Sequence, residues 1–189
     1  MTDTDTPFTS LPLRDCSTMY SENFLSEDSA IRYLDTLYKT INLEKKTHEG
    51  RLTALYGDAK EYKYALNVSV PTPWTNELCE IKNSIEALTG YTYNVCLINY
   101  YENGKDKFNF HSDREEIGNP TPIAVVSLGA ERKFYFRSKS DENDKHSVVL
   151  KNGSLLMMDS VTHEKYVHAL PADNSVKTPR MSLTFRFAR

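Results

Sequence analysis

No apolar run in the chain approaches the roughly 20 residues needed to span a bilayer, which excludes a helical membrane protein. Cysteine is scarce: Cys16, Cys79 and Cys96 are odd in number, far apart and without a CxxC pair. That excludes a disulfide scaffold or a cysteine-held zinc module and leads us to expect free thiols in a reducing, intracellular compartment, nucleus or cytoplasm. Positive charge is not in excess either, the formal net charge being −3, so a nucleic-acid partner would have to be held by a local patch. The N-terminus carries Asp3 and Asp5 but neither a basic start nor an apolar core, unlike a signal or transit peptide. There is no internal repeat and no low-complexity segment.

What is present is the composition of a globular protein: 189 residues, 39% apolar and 26% charged, enough for one domain with one core. Residues 1–20, rich in Thr, Ser, Asp and Pro, read as a flexible tail, and 21–189 as a single domain of monomeric type. Acidic Glu27 and Asp28 lead a helical pattern with Ile31, Leu34, Tyr38 and Ile41 on one face. A second helix is expected from Thr72-Pro73, with Leu78, Ile81, Ile85 and Leu88 in a stripe and Gly90 as its stop. The rest is strand-like: 91–101, 123–128, 133–137, 147–150, 154–158 and 181–187, with Asn152-Gly153 reading as a hairpin turn. Helices followed by short strands predict an α+β fold, an antiparallel sandwich or barrel backed on one side by the helices.

His111-Ser112-Asp113 places an imidazole and a carboxylate on the same side of extended backbone, where both can grip one metal. A third ligand must come from His48, His146, His163 or His168, and His168 stands where a strand-rich segment emerges. Two histidines and a carboxylate form the facial triad of non-haem iron(II) oxygenases, which leaves coordination positions open. By itself an HxD tripeptide is more readily a coincidence.

Strict alternation in 180–187 puts Arg180, Ser182, Thr184 and Arg186 on one face and Met181, Leu183, Phe185 and Phe187 on the other. Two arginines on one strand face form a natural clamp for a dicarboxylate, although an exposed, salt-bridged face would look the same. Asn99 and Tyr101 share a face upstream of His111, placed to hydrogen-bond an anionic cosubstrate.

Asn99-Tyr100-Tyr101, His111-Ser112-Asp113, His168 and 180–186, with 51–58, 122–130 and 153–158, together resemble the AlkB family of dioxygenases over roughly residues 50 to 189. The resemblance implies a double-stranded β-helix, or jelly roll, with supporting N-terminal helices. It selects His168, within Tyr166-Val167-His168-Ala169-Leu170-Pro171, as the third iron ligand beside His111 and Asp113. It assigns 2-oxoglutarate to Asn99, Tyr101, Arg180 and Arg186. The family often has Asn where this chain has Ser182, whose shorter reach is expected to weaken cosubstrate binding by no more than about 1 to 2 kcal/mol. The implied activity uses Fe(II), 2-oxoglutarate and O2 to hydroxylate an N-methyl carbon of a base such as 1-methyladenine or 3-methylcytosine in DNA or RNA. Formaldehyde, succinate and CO2 are released. The alternative is a hydroxylase of a protein or small molecule on the same fold.

On the substrate side the same match sets Tyr64 to stack on a flipped-out base, Tyr62 at its edge or a phosphate, and Glu115 near the exocyclic nitrogen of a cationic lesion. Arg51 is assigned to the base pocket or a phosphate. Solvated charges and core tyrosines are the plainer alternatives for these positions. The basic tract 132–139 could follow a phosphate backbone. Residues 42–50 lack an apolar wedge for opening a duplex, which favours single-stranded or easily opened nucleic acid.

Overall fold

The computed structural model describes residues 7–64 and 67–189, and the side chains of Lys45, Lys46, Tyr64 and Asn67 lie outside the description. Two short strands open the chain, β1 (Thr9–Ser10) and β2 (Met19–Ser21), followed by helix α1 (Glu27–Thr40). Strands β3 (Lys45–Lys46), β4 (Leu52–Gly57), β5 (Tyr62–Tyr64) and β6 (Asn67–Ser69) then lead to α2 (Asn76–Thr89). Next come β7 (Val95–Tyr101), β8 (Phe108–His111), β9 (Ile123–Gly129), β10 (Arg132–Ser138) and β11 (Lys145–Leu150). The chain closes with β12 (Leu155–Met158), α3 (Ser160–Lys165), β13 (Tyr166–Leu170) and β14 (Arg180–Arg186).

Two antiparallel sheets result. The larger runs β1-β2-β12-β9-β14-β7-β4-β3 and the smaller β11-β10-β13-β8, while β5 and β6 form a separate hairpin. One core lies between the sheets, where Tyr101, Val125, Leu156 and Met158 of the larger meet Phe134, Phe136, Tyr166 and Leu170 of the smaller. The other lies behind the larger sheet, where Ile98, Val126, Leu183 and Phe185 meet Leu37, Ile81 and Ile85 of the helices. This is the expected jelly roll backed by helices. Period-2 alternation sorts the central strands of the larger sheet between the two cores. Every residue of β14 is consequently buried, Arg180 and Arg186 included.

Both helices are capped as their sequences suggest. Ser26 accepts from the Ser29 amide at 3.2 Å and Thr75 from the Leu78 amide at 3.3 Å, which satisfies backbone donors that a helix leaves idle. The second helix therefore starts at Asn76, past the expected Thr72-Pro73, because the Thr75 hydroxyl sets its first turn. The buried face of α1 is Ala30, Tyr33 and Leu37, about one residue round from the expected stripe, which leaves Ile31 and Tyr38 more than half exposed. Tyr38 still finds cover against the Tyr100 ring, 5.0 Å away.

Two further expectations change. Asn152-Gly153 closes no hairpin, because β11 pairs with β10 while β12 pairs with β9 and β2: the turn carries the chain from one sheet to the other. Gly153 holds φ 80° there, and a side chain would meet the Leu25 carbonyl at 2.7 Å. The stretch read as a flexible tail to residue 20 joins the larger sheet from Thr9, with Leu13 and Tyr20 buried and Met19–Ser21 paired along β12. Its polar composition conceals an edge strand that covers β12. All three cysteines are free, and no helix among the described residues is long and apolar enough to cross a membrane.

Candidate active site

His111 ends β8 and Asp113 opens a single 3-10 turn, Arg114–Glu116, so backbone direction changes between the two side chains. His168 arrives from β13, directly opposite His111 in the ladder, with the two rings 4.6 Å apart. Cross-strand pairing is thus what brings the third ligand to the first two. Their ligand atoms lie within 4.8 Å of one another, His168 Nε2 at 3.5 Å from Asp113 Oδ2 and His111 Nε2 at 3.9 Å from Oδ1. His111 Nδ1 faces the Asn109 carbonyl at 2.9 Å, which places the proton on Nδ1 and frees Nε2 for a metal. Phe134 stacks on the His168 ring, 5.3 Å away and 16° from parallel, and fixes its plane.

Burial opposes charge on Asp113, but Arg186, His168, His163 and His111 outweigh it and hold the carboxyl well below its usual range. Burial pushes His168 down to about 3 against the pull of Asp113, so the imidazole is neutral and its lone pair available. Two imidazoles and one carboxylate are the donors that iron(II) takes from protein.

The residues expected to hold the cosubstrate meet on β7 and β14 of the larger sheet. β7 pairs with β14 so that Tyr101 faces Arg180 and Asn99 faces Ser182, all four lining the cavity that holds the triad. Arg180 donates from Nη2 to Ser127 Oγ at 2.9 Å, while its Nε and Nη1 have no hydrogen-bond partner among the described residues. Burial pushes its pKa down to about 10, and the groups acting on it are Tyr101 and Arg132, with no carboxylate among them. A buried guanidinium with idle donors and no counter-ion fits one end of a dicarboxylate. Ser127 was not foreseen, because only the register of β9 against β14 exposes it.

Arg186 has a different setting. Its Nη2 donates to Asp113 Oδ1 at 2.9 Å and its Nη1 to Glu115 and Glu116 at 3.2 and 3.3 Å. Burial disfavours its charge, but Asp113, Tyr62 and Glu116 reverse the balance and raise its pKa. Glu115, expected at the base, is thus ion-paired and partly exposed. Glu116 went unremarked in the sequence. It is buried, its pKa raised by that burial, and Asn119 Nδ2 donates to it at 2.8 Å.

Arg51 also lines the cavity. Its Nε donates to Asn99 Oδ1 at 3.0 Å and its Nη1 to the Lys107 carbonyl at 3.0 Å and to Glu49, which anchors it inside the wall. Tyr62 is buried near Arg186 and Glu115, whereas the Tyr64 side chain lies outside the described residues. In the basic tract Arg132 is buried, donating to the carbonyls of Asp106 and Pro171 at 2.9 and 2.7 Å, and so cannot follow a phosphate backbone. Lys133 and Arg137 keep to the outer face.

A two-sheeted barrel that holds two imidazoles, a carboxylate and an idle buried arginine at one mouth defines a mononuclear iron oxygenase with a dicarboxylate cosubstrate. The comparisons agree. The profile of the 2OG-Fe(II) oxygenase superfamily matches residues 17–186. Human DNA oxidative demethylase ALKBH2 is 35% identical over 175 residues, 87% of this chain and 67% of that one. The mouse protein of that name is 34% identical over 86% of this chain and 72% of its own. Human alpha-ketoglutarate-dependent dioxygenase alkB homolog 3 is 39% identical over 72% of this chain and 51% of its own. Among solved structures OsALKBH1 superposes with a TM-score of 0.69 at 16% identity, covering 96% of this chain and all of that one, a likeness of fold. The chain belongs to the 2OG-Fe(II) oxygenase superfamily and, within it, to the AlkB family, and it works with Fe(II), 2-oxoglutarate and O2.

Proposed function

We propose that the protein removes N-alkyl groups oxidatively from bases of DNA or RNA, acting as a monomer on single-stranded or easily opened substrate. The observation that carries this reading is an acidic pocket wall beside the triad. Glu115 and Glu116, on the turn that follows Asp113, line a cavity with Tyr62 beside Arg186, and the partly exposed Glu115 suits a positively charged lesion such as 1-methyladenine or 3-methylcytosine. The ALKBH2 relatives, named for DNA oxidative demethylation, support the same substrate class.

Iron held by His111, Asp113 and His168 would supply, with 2-oxoglutarate and O2, the oxidation of an N-methyl carbon to formaldehyde. Arg180, with Nε–H and Nη1–H idle, would hold a carboxylate of 2-oxoglutarate in the cavity that Asn99, Tyr101 and Ser182 also line. Arg51 holds Asn99 in position. Arg186 orients Asp113 and leaves Glu115 at the partly exposed rim, toward the base. Leu97, Val125, Phe134 and Met158 complete the cavity wall and exclude water. Tyr62 and Tyr64 belong to the hairpin we assign to the flipped base. Residues 42–50 supply the polar edge strand β3 in place of an apolar wedge, which supports the preference for opened strands.

The test is a panel of single- and double-stranded DNA and RNA oligonucleotides, each with one methyl lesion, incubated with iron and 2-oxoglutarate and read by mass spectrometry. Loss of the methyl group with formaldehyde release is expected, fastest on single strands. Succinate production with no lesion repaired would redirect the assignment to a protein or small-molecule substrate.

A further inference from the structure

One buried titratable side chain at the site has no part in the scheme above. His163, on α3, is wholly buried, and neither of its ring nitrogens has a hydrogen-bond partner among the described residues. Its Nδ1 points at Asp113 Oδ2 from 3.8 Å, within an ångström of hydrogen-bond distance, and its ring stands edge-on to His168 at 5.9 Å. It is not one of the three residues whose ligand atoms cluster for a metal.

The fold directs this imidazole inward from several sides. Asp159 caps the short helix by accepting from the Thr162 amide at 3.1 Å, and Lys139 Nζ donates to the His163 carbonyl at 2.6 Å. The Thr162 hydroxyl meets that of Thr18, from the N-terminal arm, at 2.6 Å. A neutral imidazole carries a single N–H to donate. An unbonded N–H in a buried site costs on the order of a whole hydrogen bond, and the carboxylate of Asp113 is the acceptor that faces it.

We propose that His163 is a positioning residue for the metal: its Nδ1–H donates to Asp113 Oδ2 while Arg186 holds Oδ1, so the ligand carboxylate is locked from both sides before iron binds. The proposal rests on the reading of His111, Asp113 and His168 as the metal set. Partners of ligand groups typically tune metal affinity by about 10- to 100-fold.

Manganese(II) binding to the metal-free protein, measured by calorimetry without turnover, tests it. His163→Leu is expected to weaken binding at least about tenfold, and His163→Gln, which retains an N–H donor, to stay within about threefold of the parent. Binding by His163→Leu equal to the parent overturns the proposal, and so does His163→Gln as weak as His163→Leu, since packing alone would then explain the loss. If His163→Leu does not fold, nitrogen NMR of the zinc(II)-loaded parent decides. A protonated Nδ1 with a bare Nε2 upholds the inference, and a protonated Nε2 or a zinc-bound ring overturns it. His111→Ala separates the two levels. Undiminished manganese binding in that variant sinks the metal site itself, whereas its loss beside an indifferent His163→Leu sinks only the role of His163.

Discussion

Arg180 and Arg186 share one face of β14 yet occupy opposite electrostatic settings. Arg186 is surrounded by carboxylates, whereas Arg180 is buried with two idle donors. An unpaired buried charge destabilises the empty protein and becomes useful only when an anion arrives. Arg180→Met is therefore expected to weaken 2-oxoglutarate binding by about 100-fold, on the worth of a charge-assisted bidentate pair, while the protein without cosubstrate melts no lower than the parent. Parallel thermal melts with and without 2-oxoglutarate check both halves. Ser182→Asn, opposite Asn99 in the ladder, is expected to lower the KM for 2-oxoglutarate by roughly 2- to 10-fold, and an unchanged KM would refute a role for that side chain. At this scale the sequence was legible where spacing alone implies a face, as for Arg180 with Ser182; His111 and Asp113 do meet, but across the start of a turn and not along one extended strand. His168 needed the family resemblance, because only the β8–β13 register brings it to His111. Glu116 and His163 were illegible, since what distinguishes them is a tertiary partner.

Elements were read well where periodicity reports burial directly. The strands from β7 to β14 that alternate strongly fall within a few residues of expectation, and α2 keeps its stripe. The face of α1 was misjudged by about one residue, since small Ala30 and amphipathic Tyr33 are buried where larger Ile31 is not. The N-terminal arm was read as a tail because Ser, Thr and Asp dominate it and its pairing partner, β12, lies far along the chain. Besides covering that edge, it braces α3 through Thr18 and through the Ser17 amide on Asp159 Oδ2 at 3.1 Å. Deleting residues 1–21 bares the β12 ladder and removes the brace, so a melting point lower by several degrees and a tendency to aggregate are expected. Scanning calorimetry and light scattering measure both. An unchanged melt would mean that the arm contributes nothing to the fold.

For the whole molecule, burial of the imidazoles makes the metal-free protein acid-sensitive. His163 and His168 are pushed down to about 4 and about 3 in the fold from an ordinary 6.5, so the unfolded chain takes up protons that the folded one excludes. Their contribution is complete above pH 6.5 and is lost as pH falls from there through the folded values, on the order of 2 kcal/mol for each group by pH 5. Asp113, also lowered, adds to the loss in more acid solution. Urea midpoints between pH 7.5 and about 5 should therefore fall for the metal-free protein, and the slope should flatten in His163→Gln. One feature of the site reaches beyond chemistry. His111 hangs from β8, the last strand of the smaller sheet, which has a ladder neighbour on one side only. A metal that joined it to His168 would act as a clasp on an open edge of the barrel. Backbone amides of β8 should exchange with deuterium sooner than those of β13 in the empty protein and slow when manganese is added, so the same ion that serves the reaction also shuts the door of the fold.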